Sequence, residues 1–327
     1  MLTDMVRPKR NEAELAAVAA ELQAQRERDD QDVGFMGRLF TQFSLPYKDP
    51  GDDVSVWGRE SGLVKITVQP GMTIDEGKPR SVGFPYGGVP RLILAHVSTE
   101  AVLTGEPRIK LGHSQSEFMR TVGLGRATGG RTGSIGRFQN QTDRLLRSTI
   151  IIDFKDPKKE RSRAIKLNVA SSWDLWWTSG RDRQPSLMQS TITLSNEFFR
   201  EVIDHPVPVD MNVLNMLQSS PMAMDIYIWL TYRMFRLEDP YLISWPLLML
   251  QFGSNLADTK QGRFQFKRDF NKHLEAVRVF YPELRVKVDL KAGLTLYPSD
   301  PHVLKRPARR LRALPGPTER DTSLGAG

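Results

Sequence analysis

The chain has 327 residues, no cysteine and a formal net charge of +8, and its length suggests two domains. The absence of cysteine excludes disulfides, thiol catalysis and cysteine-ligated zinc or iron–sulfur sites. The sequence holds no run of about 18 apolar residues, the length needed to span a bilayer, and its first residues lack a signal peptide's apolar region. We therefore expect a soluble, cytoplasmic protein, and the positive charge predicts an anionic partner.

The positive charge is concentrated in three segments. Residues 120–163 hold 11 lysines and arginines against 4 acidic residues, and residues 260–291 hold 9 against 4. Residues 302–312 add 5 with no acidic residue, whereas residues 164–259 carry a net charge of −4. Discrete basic blocks are typical of surfaces that bind nucleic-acid phosphates, although a single block is as often a solvated face.

The first 53 residues are expected to form an arm and a linker. Residues 11–28 are rich in alanine, glutamate and leucine, which predicts a helix with a thin apolar stripe. Such a helix suits docking or dimerisation, or it serves as a mobile arm. Residues 44–53 (SLPYKDPGDD) have the composition of a linker.

Residues 54–185 show the order of elements found in a winged helix, which is a helix-turn-helix followed by a β-hairpin. Ser114 and Glu117 are spaced as a capping box, which predicts the start of a helix. The predicted elements are strands within 54–68, a helix over 91–103, a short strand over 108–111, helices over 115–122 and 132–147, and strands over 148–153 and 164–169.

The same order recurs in residues 186–300. The predicted elements are a strand over 186–194, helices over 196–203, 210–217, 221–237 and 244–250, a long basic helix over 261–280, and hairpin strands over 284–290 and 294–297. The fold class is therefore predicted as α+β, with two tandem winged-helix domains. The basic tail, residues 301–327, is expected to be disordered beyond about residue 314, and its basic residues either track phosphates or are simply solvated.

In a helix-turn-helix, the second helix lies in the major groove and its N-terminal residues meet base edges. In the first unit this is the helix over 132–147, which offers arginine, glutamine and asparagine, the side chains that pair with guanine or adenine. The arginines of the preceding glycine-rich turn are placed to contact phosphates. The candidate DNA-binding residues of this unit are Arg126, Arg131, Ser134, Arg137, Gln139, Asn140, Gln141 and Arg144.

In the second unit, Phe266, Phe270 and Leu274 are spaced as the buried row of a helix. The remaining surface is dominated by lysine and arginine, so we expect phosphate contact to outweigh base reading there. The candidate residues are Lys260, Arg263, Lys267, Arg268, Asn271 and Lys272, with Lys287 and Lys291 on the hairpin.

No catalytic, metal or cofactor site is expected. Residues 125–132 (GRATGGRT) have the spacing of a P-loop, but Arg131 stands where lysine is required and a helix precedes the motif. The histidines lack metalloprotease spacing, and no carboxylate cluster indicates a two-metal nuclease. Two function classes stay open at this point: a transcriptional repressor, and an enzyme such as a primase or nickase.

Seven short segments form a recognisable combination. They are residues 84–94 (FPYGGVPRLIL), 111–118 (LGHSQSEF), 123–137 (GLGRATGGRTGSIGR), 207–217 (VPVDMNVLNML), 220–233 (SPMAMDIYIWLTYR), 243–252 (ISWPLLMLQF) and 263–270 (RFQFKRDF). Together they resemble the plasmid-encoded RepA family of replication initiators, over about residues 54–301.

The resemblance implies a non-enzymatic initiator with two winged-helix domains. Such a protein binds repeated sites (iterons) at a plasmid origin, helps to open the duplex and represses its own promoter. The implied partners are double-stranded origin DNA, a host replication initiator and helicase, and a second copy of the chain. Iteron sequences differ between plasmids, so the base-reading candidates rest on this sequence alone.

Overall fold

The computed structural model shows mixed helices and strands. The described residues are 12–28, 30–61, 64–125, 127–129, 133–156, 161–176, 189–253, 256 and 259–303. The helices are α1 (Glu12–Glu27), α2 (Gly88–Thr104), α3 (Gln115–Thr121), α4 (Ser134–Arg147), α5 (Asn196–Asp204), α6 (Met211–Leu217), α7 (Pro221–Met234), α8 (Trp245–Phe252) and α9 (Lys260–Phe280).

The strands form small antiparallel sheets. They are β1 (Val33–Gly37), β2 (Trp57–Ser61), β3 (Val64–Gln69), β4 (Met72–Asp75), β5 (Lys78–Ser81), β6 (Arg108–Gly112), β7 (Thr149–Asp156), β8 (Arg161–Asn168), β9 (Ala170–Asp174), β10 (Ser190–Leu194), β11 (Pro206–Asp210), β12 (Tyr241–Ser244), β13 (Val286–Asp289) and β14 (Gly293–Leu296). The strand orders are β2-β3-β7-β8, β6-β10-β9, β12-β14-β13, β1-β11 and β4-β5.

The first unit consists of α2, β6, α3, α4 and the β7–β8 hairpin. Ser114 caps α3 as predicted: its Oγ accepts a hydrogen bond from Glu117 N at 3.2 Å, and the Glu117 carboxylate accepts one from His113 N at 2.7 Å. Phe118 of α3 packs edge-on against Phe138 of α4, with ring centroids 5.3 Å apart. Each of these buried rings contributes on the order of 2–3 kcal/mol, so α3 and α4 are fixed against each other by apolar contact.

β10 belongs to a sheet of the first unit, where it lies between β6 and β9. The sequence placed residues 186–194 in the second domain, so the structure corrects that boundary. Ile192 is fully buried and is paired with Ile109 on one side and Trp173 on the other. The backbone of any strand has hydrogen-bonding groups along both edges. In β10 both edges are paired with strands of the first unit.

The second unit consists of α7, β12, α8, α9 and the β13–β14 hairpin. β12, which follows the first helix, pairs with the last strand of the hairpin, β14. Phe266 and Phe270 are buried, as their spacing predicts, and their rings lie 6.3 and 5.9 Å from that of Trp245. Thr259 caps α9 by accepting a hydrogen bond from Gly262 N at 3.1 Å. This packing fixes α8 against the long basic helix.

Residues 33–45, which the sequence assigned to an arm and linker, are part of the core. β1 pairs antiparallel with β11, with Val33 opposite Asp210 and Gly37 opposite Pro206. Phe40 in the following 3₁₀ turn is 5% exposed. The structure therefore corrects the expected boundary at residue 53, because the folded units include this strand.

α1 docks on its own chain, which is one of the roles considered for it. Arg26 forms an ion pair with Glu283 and donates a hydrogen bond to Pro301 O at 3.2 Å. Gln23 Nε2 donates to the same carboxylate at 3.3 Å. The helix therefore packs at the C-terminal end of α9.

The last described residues are fixed to the same region. Gln31 Nε2 donates to His302 O at 3.2 Å, and the hydroxyl of Tyr227 lies 2.9 Å from His302 Nδ1. Burial lowers the pKa of His302 to about 4, so its ring is neutral near pH 7. The tail beyond residue 303, with its basic residues, lies outside the described residues.

Arg91 of α2 and Asp225 of α7 form a buried ion pair between the two units. Their side chains are 3% and 7% exposed, and two hydrogen bonds of 2.7 Å join them. The remaining N–H groups of the guanidinium donate to the carbonyl oxygens of Leu45, Pro46 and Gly87. A buried ion pair is tolerated only with such complete hydrogen bonding, so this pair ties together α2, α7 and the segment before β2.

Replacement of Arg91 by methionine tests this tie. Arg91→Met leaves the Asp225 carboxylate buried without its partner, and we expect the free energy of unfolding to fall by about 3–5 kcal/mol. Arg91→Met combined with Asp225→Leu should recover most of the loss. Urea unfolding measures the free energy of unfolding of each variant. Arg80→Met is the matched control, since it breaks an exposed pair with Asp75 and should cost at most about 1 kcal/mol. If Arg91→Met and Arg80→Met lowered the free energy of unfolding equally, the structural role assigned to the buried pair would be contradicted.

Candidate nucleic-acid interface

The N-terminal half of α4 has an open outward face. Gly136, Arg137 and Asn140 are exposed there, whereas Phe138 and Leu145 on the other side are buried. We call these three exposed residues the α4 face. A Cβ added at Gly136 would meet no atom within 4 Å apart from the adjoining residues and backbone of its own helix. The α4 face therefore combines a bare backbone with a guanidinium and an amide, groups that match the edges of guanine and adenine.

Two glutamines that the sequence placed outward serve the fold instead. Gln141 is 2% exposed, and its Oε1 accepts a hydrogen bond from Tyr86 N at 2.8 Å. The prediction that Gln141 reads a base is therefore wrong, because a buried side chain cannot enter a groove. Gln139 is half-buried, and its Nε2 donates to Gln115 Oε1 at 2.8 Å. Gln115 in turn donates to Ile135 O at 3.1 Å, so this pair links α3 to α4.

Arg144 also fastens α4 to the rest of the chain. Its side chain is 13% exposed and forms an ion pair of 2.9 Å with Asp49. The same guanidinium donates to Phe84 O at 3.2 Å and lies 5.4 Å from the ring centroid of Tyr86. The expectation that Arg144 faces DNA is therefore corrected, since its hydrogen bonds are directed toward the protein.

The loop before α4 is closed onto the first turn of the helix. Ser134 Oγ accepts a hydrogen bond from Thr128 N at 3.0 Å, and Thr128 Oγ1 accepts one from Ser134 N at 3.0 Å. The Ser134 hydroxyl thus helps to fix the loop, which differs from the outward role expected for it. Arg126 and Arg131 lie outside the described residues.

α9 and its hairpin form a second surface on which the exposed side chains are mostly basic. Its residues are Lys260, Arg263, Arg268, Lys272, Lys287 and Lys291, and all are exposed. We call this set the α9–hairpin surface. Asn271 is half-buried beside it. The surface brings together the helical part and the hairpin part of the basic segment over residues 260–291.

Lys267 acts as a clamp between α9 and the hairpin. Its Nζ donates a hydrogen bond to Leu290 O at 2.7 Å and lies 5.3 Å from the ring centroid of Trp245. Trp245 Nε1 donates to Asp289 O at 2.8 Å. The sequence assigned Lys267 to DNA phosphates, but in the structure its ammonium group holds the hairpin turn against the helix.

Sequence reasoning overlooked Phe264, which is 70% exposed on α9. The signal was present in the helical period, because Phe264 is out of step with the buried row of Phe266 and Phe270. Gly136 was also overlooked, although a glycine within a helix costs up to about 1 kcal/mol relative to alanine and so invites an explanation.

Within the described part of the chain, no group of three or more histidine, aspartate or glutamate side chains is arranged to hold a metal ion. Across those same segments, no helix has the length and apolarity that crossing a membrane requires.

Comparison with known families decides where the chain belongs. Residues 84–246, about half of the chain, match the family model described as "Plasmid encoded RepA protein". The chain belongs to the plasmid-encoded RepA family. This confirms the resemblance seen in the sequence, and membership supports a role in the initiation of plasmid replication. The match includes α2, α3 and α4 and ends at the start of α8.

Two solved structures are similar to this RepA-family chain at low sequence identity. One is described as domains 2 and 3 of RctB in selenomethionine form: identity is 12%, the match covers 82% of this chain and 97% of that one, and the TM-score is 0.47. The other, RctB residues 155–483, is 12% identical, with 72% and 81% covered and a TM-score of 0.43. No curated protein matches the sequence.

Substitution of an exposed lysine and substitution of Lys267 should have different effects, the first on DNA binding and the second on stability. Lys287→Ala removes an exposed charge, so we expect the slope of log affinity for DNA against log salt to flatten by about one unit, with stability unchanged. Lys267→Met should instead lower the free energy of unfolding by about 1 kcal/mol, since the bond to Leu290 O is lost. DNA titrations at several salt concentrations and urea unfolding measure the two effects.

An exposed basic residue outside both surfaces is the control for that experiment. Arg200 on α5 is exposed, and Arg200→Ala should leave both the salt slope and the stability unchanged. A salt slope that falls equally in Lys287→Ala and Arg200→Ala would show that the effect is one of net charge alone.

Proposed function

We propose that this RepA-family chain initiates plasmid replication by binding repeated DNA sites (iterons) at the origin through two winged-helix units. The observation that carries the proposal is the recurrence of one arrangement. In each unit a first helix, a strand and a second helix precede a third helix and a hairpin. The third helix has exposed basic residues, Arg137 on α4 and several lysines and arginines on α9. In a winged helix this third helix lies in the major groove.

We assign base reading to α4. Arg137 matches the two acceptors on guanine, and Asn140 matches the acceptor and donor on adenine. The contacts of Gln139, Gln141 and Arg144 with neighbouring segments hold the helix rigidly, and two-point recognition of a base requires such rigidity. Arg126 and Arg131 remain proposed phosphate contacts before this helix.

We assign phosphate contact chiefly to the second unit. The exposed residues of the α9–hairpin surface extend from the first turn of α9 to the hairpin, a distribution that suits a DNA backbone. Asn271 is the amide of this helix that is proposed to meet a base. Two modules on one chain raise the effective concentration of the second contact, and this gain offsets the cost of bending or opening the duplex.

The proposal includes no catalytic step. The protein recruits a host replication initiator and a helicase and also represses its own promoter. A second copy of the chain is a further proposed partner. Binding energy rather than covalent chemistry is the means by which such a protein works.

A footprint of the purified protein on the replicon that encodes it tests the proposal. We expect protection of directly repeated sites, each spanning about two helical turns of DNA, because two groove-reading units act on each site. Protection of a single inverted repeat over a promoter would favour a transcriptional repressor. Absence of sequence-specific protection would contradict both. Strand nicking or primer synthesis with Mg²⁺ would favour an enzyme.

Gly136 provides a second test, because its effects on folding and binding have opposite signs. Gly136→Ala should raise the free energy of unfolding by up to about 1 kcal/mol, since alanine favours helix and has open space around it. If the backbone of α4 approaches DNA closely, the added methyl group should weaken specific binding by about tenfold, equivalent to about 1.4 kcal/mol. Thermal unfolding and DNA titration measure the two quantities. Unchanged affinity would place α4 farther from the groove.

A further inference from the structure

Phe264 is an aromatic side chain without a role in the protein core. It is 70% exposed, more than any other large apolar side chain in the described residues. It is the fifth residue of α9, and it lies off the buried row that includes Phe266 and Phe270. An exposed phenylalanine contributes little to folding, because its apolar area stays in water. A role in binding would account for its position.

The surroundings of Phe264 are basic. Residues three and four positions apart share one face of a helix, so Lys260 and Arg268, both exposed, flank Phe264 on either side. Asn271 follows two turns after it. The nearby carboxylate of Asp269 is engaged by Gln265 Nε2 at 2.7 Å. The ring therefore lies within a positive surface, which suits a polyanion better than an apolar protein partner.

The hairpin turn lies beside the same part of α9. Lys267, one turn after Phe264, donates its hydrogen bond to Leu290 O at 2.7 Å. Leu290 in that turn is 68% exposed. The clamp thus places the outermost part of the hairpin against the first turns of α9. This geometry allows the helix and hairpin to contact one duplex together.

We propose that Phe264 recognises the C5-methyl group of a thymine in the major groove, an inference that rests on the proposed function. Major-groove edges present hydrogen-bonding groups together with one apolar group, the thymine methyl. A phenyl ring cannot pair with the polar groups, so the methyl is its matching contact. Phe264 thereby gives α9, whose exposed side chains otherwise suit phosphates, a means of reading sequence.

Replacement of thymine by deoxyuridine tests the proposal, because it removes the methyl group and leaves base pairing intact. After footprinting, each thymine in the protected site is replaced in turn. We expect the wild-type protein to lose about fourfold in affinity at one or two positions, the effect of one buried methyl group. Phe264→Ala should bind thymine DNA at least about fourfold more weakly than the wild-type protein does. It should also no longer distinguish uracil from thymine at those positions.

Two variants serve as controls. Val279→Ala removes another exposed apolar side chain, 46% exposed near the C-terminal end of the same helix, and should retain full sensitivity to uracil. Lys287→Ala should weaken binding equally on thymine and uracil DNA. Circular dichroism checks that Phe264→Ala folds, as expected for a side chain in solvent.

The possible outcomes separate this inference from the proposed function. Sequence-specific binding without a uracil effect, or with a uracil effect that persists in Phe264→Ala, overturns the thymine contact and leaves the proposed function standing. A change in self-association of Phe264→Ala, measured by sedimentation velocity with DNA binding unaltered, would make Phe264 a protein contact. Absence of sequence-specific binding by the wild-type protein overturns both.

Discussion

The buried ion pair of Arg91 and Asp225 is the contact on which the arrangement of the two units depends. Removing two charges from water is costly, and the pair is stable because each N–H group of the guanidinium meets an oxygen. These oxygens belong to α7, to residues 45–46 and to residue 87, so the pair is complete only when all three parts are in place. The ring of Tyr47, 5.2 Å from the guanidinium, covers it further. One side chain thereby fixes the first helix of each unit against the other.

The two proposed DNA-binding surfaces differ in how many of their polar side chains are hydrogen-bonded within the protein and how many are exposed. On α4, Gln139, Gln141 and Arg144 are held by the protein, and a small face remains open. On α9 most of the charge stays exposed, whereas Lys267 clamps the hairpin turn through its hydrogen bond to Leu290 O. Base contacts need a rigid backbone close to the groove, whereas phosphate contacts tolerate long and mobile side chains. The difference in structure therefore agrees with the proposed difference in role.

The sequence predicted part of the candidate site, and its errors have a common cause. Helical period correctly identified Phe266 and Phe270 as buried, because that period depends only on the helix itself. It failed for Gln141 and Arg144, since a polar side chain at a given angle either faces solvent or meets a partner from another segment. The partners here, Tyr86 N and Asp49, are distant in sequence. Their approach depends on tertiary packing, which a local pattern does not contain.

Local interactions, then, were readable from the sequence alone. The cap of α3, the hairpin of the second unit and the recurring order of elements follow from residues within one or two turns of each other, and the family was recognisable from short segments. Only the tertiary structure decided the pairing of β1 with β11, the place of β10 in the first unit and the ion pair of Arg91 with Asp225, 134 residues apart. Such contacts join residues that are far apart in the sequence, and forming them costs loop-closure entropy. Which segments pair is therefore set by the energy gained on burial, because many segments have similar local propensity.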